Sequence, residues 1–204
     1  MNKRLKETLL SVARFYDQKK VGDVGALGFR RSSDLALLAG CFQGLLQENL
    51  LLSNNRSRFL DLGCADGRVN ILFSYMVRTS VGVELDPWTL DEYPPLKAAL
   101  EHDLQTARLI PPPKNIHLFA GDSTDPRVHR QIEVDTGLAF EDFDIFYTYL
   151  IMHQEFAAMI AERAAKGACF LVYGLDRIMP RYEGLRLRED LSPMNGILGI
   201  YEKV

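Results

Sequence analysis

The stretch Arg58-Phe59-Leu60-Asp61-Leu62-Gly63-Cys64-Ala65-Asp66-Gly67-Arg68-Val69-Asn70 constrains this chain more than any other. A short apolar run carries a carboxylate, passes into a loop of small residues, and resumes as an amphipathic segment with Val69, Ile71, Leu72, Tyr75 and Met76 at its apolar positions. That order is the grammar of a strand, a tight turn and a helix in which main chain, not side chain, approaches a ligand. Gly63 and Gly67 carry no Cβ and reach positive φ freely, which such a loop requires. A glycine-bearing strand-to-helix turn also occurs in sheets that bind nothing, so the other strand ends must decide whether a ligand is involved.

Upstream, Leu5, Leu9, Val12, Phe15 and Tyr16 share one face at helical spacing between about Leu5 and Lys19, which predicts a docking helix against the main domain or a partner subunit. A loop with Gly22, Gly25 and Gly28 follows, and Ser32, Ser33 and Asp34 are N-cap candidates for a second, largely buried helix running to about Asn49. Ser53-Asn54-Asn55 reads as a turn. Beyond the opening stretch, strands are expected within Ser80–Pro87, at Ile116–Asp122 with an acidic end, at Phe143–Tyr149 and at Ala168–Tyr173. Helices are expected from about Leu96 to Arg108, briefly after Thr124 or Asp125 with Pro126 in its first turn, and from Gln154 to Ala165. Pro87 disfavours helix at Asp86 and marks the exit from the second strand. Two tail strands, near Leu185–Arg188 and Ile197–Tyr201, are close enough in sequence to pair antiparallel. Strands alternating with helices make a doubly wound α/β domain of Rossmann-like type, with ligands at the carboxyl ends of the strands. The division expected is an N-terminal helical part, residues 1–56, and a main domain, residues 57–204.

Composition sets bounds. Net charge is −3 over 204 residues, so no overall basic field favours nucleic acid or an anionic membrane. The longest apolar stretch, near Leu35–Leu46, is too short to span a bilayer, and the charged N-terminus (Lys3, Arg4, Lys6) lacks a signal-peptide core. Three distant cysteines, Cys41, Cys64 and Cys169, read as reduced thiols in a cytoplasmic setting. His102, His117, His129 and His153 have no ligand spacing, so no metal is expected.

Three strands carry acids near one edge: Asp61, Glu84 and Asp122. Glu84 lies 23 residues beyond Asp61, the spacing at which an acid ending the second strand accepts from ribose hydroxyls. Asp86 competes for that role, since a one-residue slip exchanges their faces. Asp122, after Gly121, suits either an adenine amine or an ordinary turn. Ala65 stands where G-x-G-x-x-G has its middle glycine, and no phosphate cradle is present, so a nucleoside carrying little phosphate fits better than a dinucleotide.

With Asp61-x-Gly63-x-Ala65-x-Gly67, Glu84 and Gly121-Asp122, residues 57–204 resemble the class I, seven-strand S-adenosylmethionine-dependent methyltransferases. That resemblance implies strand order 3-2-1-4-5-7-6 with strand seven antiparallel, and S-adenosyl-L-methionine as cofactor. By it Asp61 sits near the methionine amine, Gly63, Cys64, Ala65 and Gly67 line the methionine, Glu84 binds ribose beside Leu85, and Asp122 with Ser123 borders adenine. Asp61-Leu62-Gly63-Cys64-Ala65-Asp66-Gly67-Arg68 and Val81-Gly82-Val83-Glu84-Leu85-Asp86-Pro87 are further similar to the protein-lysine methyltransferases that act on the ATP-synthase c subunit and to their prokaryotic relatives. Phe29-Arg30-Arg31-Ser32-Ser33 departs from the proline-containing segment of that group.

Methyl transfer from a sulfonium is an in-line displacement that mainly needs alignment. Tyr147 and Tyr149, ending the fourth strand, are the candidates for lining the acceptor, the alternative being core tyrosines with paired hydroxyls. His153 is either a base or a helix cap, and Phe29 with Arg30 are candidates for a lid. N-P-P-Y is absent after the fourth strand, which disfavours amino-methylation of DNA. The expected function is a methyltransferase with protein lysine as the favoured acceptor. A small-molecule methyltransferase and a non-catalytic binding protein remain the alternatives, with self-association through the N-terminal helices a further expectation.

Overall fold

The helix and strand boundaries follow local chemistry. In the computed structural model, which describes residues 1–22, 31–52, 55–176, 178–193 and 196–204, α1 spans Lys3–Asp17 and α2 spans Leu35–Gln47. Gly25, Gly28, Phe29, Arg30, Ser53 and Asn54 lie outside those residues. Of the three N-cap candidates Asp34 is the one used, its carboxylate accepting from Leu37 N at 2.8 Å. Asp17, ending α1, accepts from Leu35 N and Ala36 N and so satisfies two more free amides of α2.

The sheet comprises β1 (Arg58–Leu62), β2 (Thr79–Glu84), β3 (Ile116–Ala120), β4 (Ile145–Tyr149), β5 (Cys169–Tyr173), β6 (Leu185–Leu187) and β7 (Leu198–Lys203). Their order is β3-β2-β1-β4-β5-β7-β6, with β7 antiparallel to both neighbours, as expected. The crossover helices are α3 (Arg68–Ser74), the single turn α4 (Pro87–Leu90), α5 (Tyr93–Thr106), α6 (Pro126–Thr136) and α7 (His153–Arg163).

Two readings need correcting. Asp86 accepts from Trp88 N and caps α4, so Pro87 opens a helical turn where only an exit from the strand was expected. The helix expected from about Leu96 begins at Tyr93, so Pro94 and Pro95 lie inside the first turn of α5, where their missing N–H groups are ones the helix leaves unpaired anyway.

Two cores flank the sheet. On one face α1, α2, α3 and α5 bury Leu9, Val12, Tyr16, Leu35, Phe42 and Phe73 against Phe59, Ile145, Tyr147 and Ile200. On the other, α6 and α7 bury Ile132, Phe156 and Ile160 against Leu60, Val83, Phe146 and Phe170. The N-terminal helices therefore share one core with the sheet, and Phe73 joins them directly, edge-on to Phe42 at 5.0 Å and stacked on Phe59 at 4.1 Å. All three cysteines are free thiols. Among the described residues no helix is long and apolar enough to cross a membrane.

Candidate functional site

The site is built where the chain leaves β1. Gly63 N and Cys64 N both donate to Val83 O, at 3.0 and 2.9 Å, and Gly67 N donates to Cys64 O at 2.9 Å. Ala65 N donates to Glu84 Oε2 at 2.9 Å. These four amides are thus satisfied within the protein and are not free to cradle a phosphate.

Gly63, Ala65 and Gly67 all have positive φ, at 117°, 50° and 73°. A Cβ built at Gly63 meets nothing within 4 Å, so open space lies in front of that residue. Gly67 is glycine for packing: its Cβ would stand 2.7 Å from Tyr93 Cδ2 and 2.9 Å from Leu118 Cδ1. Cys64 contributes main chain, since its side chain is buried where a Cβ at Gly82 would touch it at 2.7 Å.

Asp61 is the chemical centre of the cluster. It is 1% exposed, and neither carboxylate oxygen has a hydrogen-bond partner among the described residues. Burial, then the charges of Glu84 and Asp66, push its carboxyl well above the usual carboxylate range. Such a group calls for a cation or a proton. Glu84, buried at the end of β2, accepts from Ala65 N and from Asp86 N, both at 2.9 Å, and so also braces the first loop. Leu85, next to it, is 71% exposed and Trp88 62%, an apolar surface at the same edge. Asp122 is exposed in a turn of its own, accepting from Thr124 N and Oγ1. Ser123 is buried, its carbonyl 2.8 Å from His129 Nε2.

Asp61 pairs in register with Tyr147 on β4. Tyr147 is 1% exposed and lies in the core, its hydroxyl hydrogen-bonded to Ser33 Oγ. That is the arrangement of a core tyrosine with a paired hydroxyl, and it offers no open acceptor wall. Tyr149 is partly buried, its ring 5.5 Å from that of Tyr173. The Tyr173 hydroxyl in turn accepts from Asp34 N at 3.0 Å, so the start of α2 rests on hydroxyls of β4 and β5. Past Tyr149, Leu150, Ile151 and Met152 are exposed, with Leu150 and Met152 at φ of 42° and 52°.

Several contributors escape sequence reasoning. Arg68 and Asp66 form an ion pair at 2.8 Å with almost no exposure, and Arg68 also donates to Tyr16 O, Lys19 O and Lys20 O. One guanidinium therefore ties the carboxyl end of α1 to the glycine loop. Nothing in an Asp-x-Arg spacing separates this from an exposed pair. Ser33 was visible only as one of three cap candidates, and Tyr182 gave no signal.

No protein-family model and no curated protein matches the sequence. Solved structures do. A candidate methyltransferase, yhhF, from Escherichia coli superposes with a TM-score of 0.52 at 13% identity, covering 85% of this chain and 88% of its own. An RNA methyltransferase from Salinibacter ruber, bound to S-adenosyl-L-homocysteine, gives 0.47 at 16% identity, with 79% and 87% covered. A candidate methylase from Haemophilus influenzae gives 0.45 at 16%, with 80% and 96% covered. At such identities the likeness is one of architecture, and with the observed strand order it places this chain in the seven-stranded Rossmann-like fold of the class I S-adenosylmethionine-dependent methyltransferases.

Proposed function

We propose that the protein is an S-adenosylmethionine-dependent methyltransferase with a protein lysine as acceptor. The observation that carries the cofactor assignment is Asp61, a buried carboxylate with both oxygens unpartnered among the described residues, close in sequence to a glycine with open space in front of it. The α-ammonium of a methionine moiety supplies the missing cation. Glu84, buried at the end of β2, is the residue assigned to the ribose hydroxyls, with exposed Leu85 as apolar surface for a base and Asp122 and Ser123 assigned to its border. When bound, the cofactor supplies a methyl group on a positively charged sulfur. The chain itself has to align an acceptor and exclude water. The apolar loop Leu150-Ile151-Met152 after β4 supports an acceptor large enough to cover it, and the resemblance to protein-lysine methyltransferases points the same way.

Thermal shift with S-adenosylhomocysteine tests the cofactor. At 100 times its dissociation constant the ligand adds about 2.7 kcal/mol of stability. Asp61→Asn and Glu84→Ala should lose that shift; an equal shift in both would sink the assignment. Binding also carries a pH signature. A protonated Asp61 must release its proton to pair with an ammonium, so affinity should rise with pH until the raised pKa is passed. Asp61→Asn should show no such rise. Labelling of cell lysates with radioactive cofactor, before and after protease treatment, tests the acceptor: counts that survive protease would mean a small molecule instead.

A further inference from the structure

The turn that leaves β4 combines backbone strain with exposed apolar side chains. Leu150 and Met152 sit at φ of 42° and 52°, a region that L-residues with bulky side chains rarely adopt. Between them Ile151 is 73% exposed, and the side chains on either side are exposed as well. Neither feature stabilises the fold. Strain of this kind persists only where surrounding contacts impose it, and it gathers at sites of function. Gly174, where the chain leaves β5, forms one wall of the turn: a Cβ there would stand 3.1 Å from Tyr149 Cε1 and 3.3 Å from Leu150 Cβ. His153, next in the chain, opens α7 with its Nδ1 2.6 Å from the Tyr182 hydroxyl. The N-cap of that helix is Met152, so the histidine is not a cap.

The turn is held by main chain and by one side chain. Ile151 N donates to Tyr149 O, and Ile151 O accepts from Thr148 Oγ1 at 3.3 Å. Both main-chain polar groups of Ile151 are thereby fixed while its side chain stays in solvent. The same Thr148 hydroxyl lies 3.2 Å from the carbonyl oxygen of Leu62, the residue directly before Gly63. Carbonyls only accept, so the single hydroxyl hydrogen is shared between the end of β1 and the turn after β4. Thr148 is buried, which keeps water from competing for that hydrogen. One hydroxyl thus sets the apolar turn relative to the glycine loop, where Gly63 has open space in front of it.

We propose that Thr148 is a positioning residue for methyl transfer, its hydroxyl holding Ile151 where the apolar stem of an acceptor lysine packs against it. This rests on the reading of the protein as a methyltransferase that acts on protein lysine. A lysine carries its amine at the end of four methylenes, and such a stem lies readily along apolar surface. Ile151 takes the stem, and the link from Thr148 to Leu62 sets how far that contact stands from the glycine loop. The ammonium first gives a proton to solvent. The lone pair so uncovered forms the nitrogen–carbon bond as the carbon–sulfur bond breaks, the old bonding pair stays on sulfur, and the positive charge passes to nitrogen. Thr148 takes no part in that exchange. It acts on the alignment, where a displacement of about 1 Å costs about 10²-fold in rate.

Two substitutions in the full chain divide the threonine into its parts. Thr148→Val keeps the shape without the hydroxyl, and Thr148→Ser keeps the hydroxyl without the methyl. Both should keep the thermal shift from S-adenosylhomocysteine. With radioactive cofactor and a dilution series of the protease-sensitive lysate fraction, Thr148→Val should lose about 10- to 10²-fold in maximal transfer rate, and Thr148→Ser should recover most of it. Ile151→Ser changes an exposed side chain, so it reads the same contact even where Thr148→Val folds poorly. It should keep the urea midpoint and the thermal shift, and lose transfer through a raised apparent KM for the lysate protein. Undiminished transfer in Thr148→Val or in Ile151→Ser overturns the proposal. So does a defect in Thr148→Ser that Thr148→Val lacks, which would make the methyl group the part that matters. Failure of the readings beneath it would look different: no thermal shift in the wild-type protein, or label that survives protease.

Discussion

Gly63 and Gly67 look alike in sequence and differ in what their missing side chains allow. Both have positive φ, so alanine strains the backbone at either one. Only at Gly67 does the new Cβ also collide, with Tyr93 and Leu118. Gly67→Ala should therefore lower stability by about 2 kcal/mol or more in urea titration, combining strain with overpacking. Gly63→Ala should cost about 1 kcal/mol of stability and chiefly weaken S-adenosylhomocysteine binding, because its Cβ points into open space. Ala65 tolerates the same region, φ 50°, without being glycine. Left-handed backbone costs an L-residue about 1–2 kcal/mol, partly offset by the greater unfolded freedom of glycine. Ala65→Gly should accordingly stabilise the protein by up to about 1 kcal/mol, measured the same way.

At the scale of elements, two devices hold the rim of the sheet in place. Arg68 joins α1 to the glycine loop through Asp66, and Ser33 and Asp34 join α2 to β4 and β5. Arg68→Ala strands Asp66 as a buried unpaired charge and should cost about 3–5 kcal/mol. Asp66→Asn in the same chain should recover part of that loss, a coupling that a double-mutant cycle reads out. A further contact, outside those two, joins the β3–α6 turn to α7. Arg163 can only donate, so His129 Nδ1, 3.0 Å away, accepts from it and Nε2–H donates to Ser123 O. Burial holds His129 below the ordinary imidazole pKa, with the bond to Ser123 opposing and Arg163 adding to the depression. The unfolded chain therefore binds a proton near pH ~6.5 that the folded one refuses. Stability is complete above that pH and falls as pH drops through it, by up to about 1.4 kcal/mol per pH unit. Urea midpoints between pH 7.5 and 5.5 should show this slope, and His129→Gln should flatten it.

For the whole molecule, the shared core decides whether the N-terminal helices are a separable part. Leu9, Val12, Tyr16, Leu35 and Phe42 are fully buried in the cluster that covers one face of the sheet. A chain beginning at residue 57 would expose that face, far beyond the apolar patch a soluble monomer usually shows. It should lack a cooperative urea transition and bind an apolar dye, while the full chain unfolds in one step; two steps in the full chain would make the helices an independent unit.

The sequence by itself determined the succession of strands and helices, the parallel architecture, the antiparallel tail, and the acids lying along one edge. Alternation at period 2 and period 3.6 is a local property, and so are caps and proline stops. Even the unexpected turn α4 and the early start of α5 are local matters of where a proline sits in a first turn. Only the tertiary structure decided which polar groups are satisfied. Tyr147 meets Ser33 across 114 residues of chain, and Arg68 meets Tyr16 across 52. Asp61 is left with no partner among the described residues. A carboxylate or a tyrosine looks the same in sequence whether its partner is water, another side chain or nothing. Burial and the direction of a hydrogen bond exist only once distant segments are packed together, and on them rests the difference between a core residue and a reacting one.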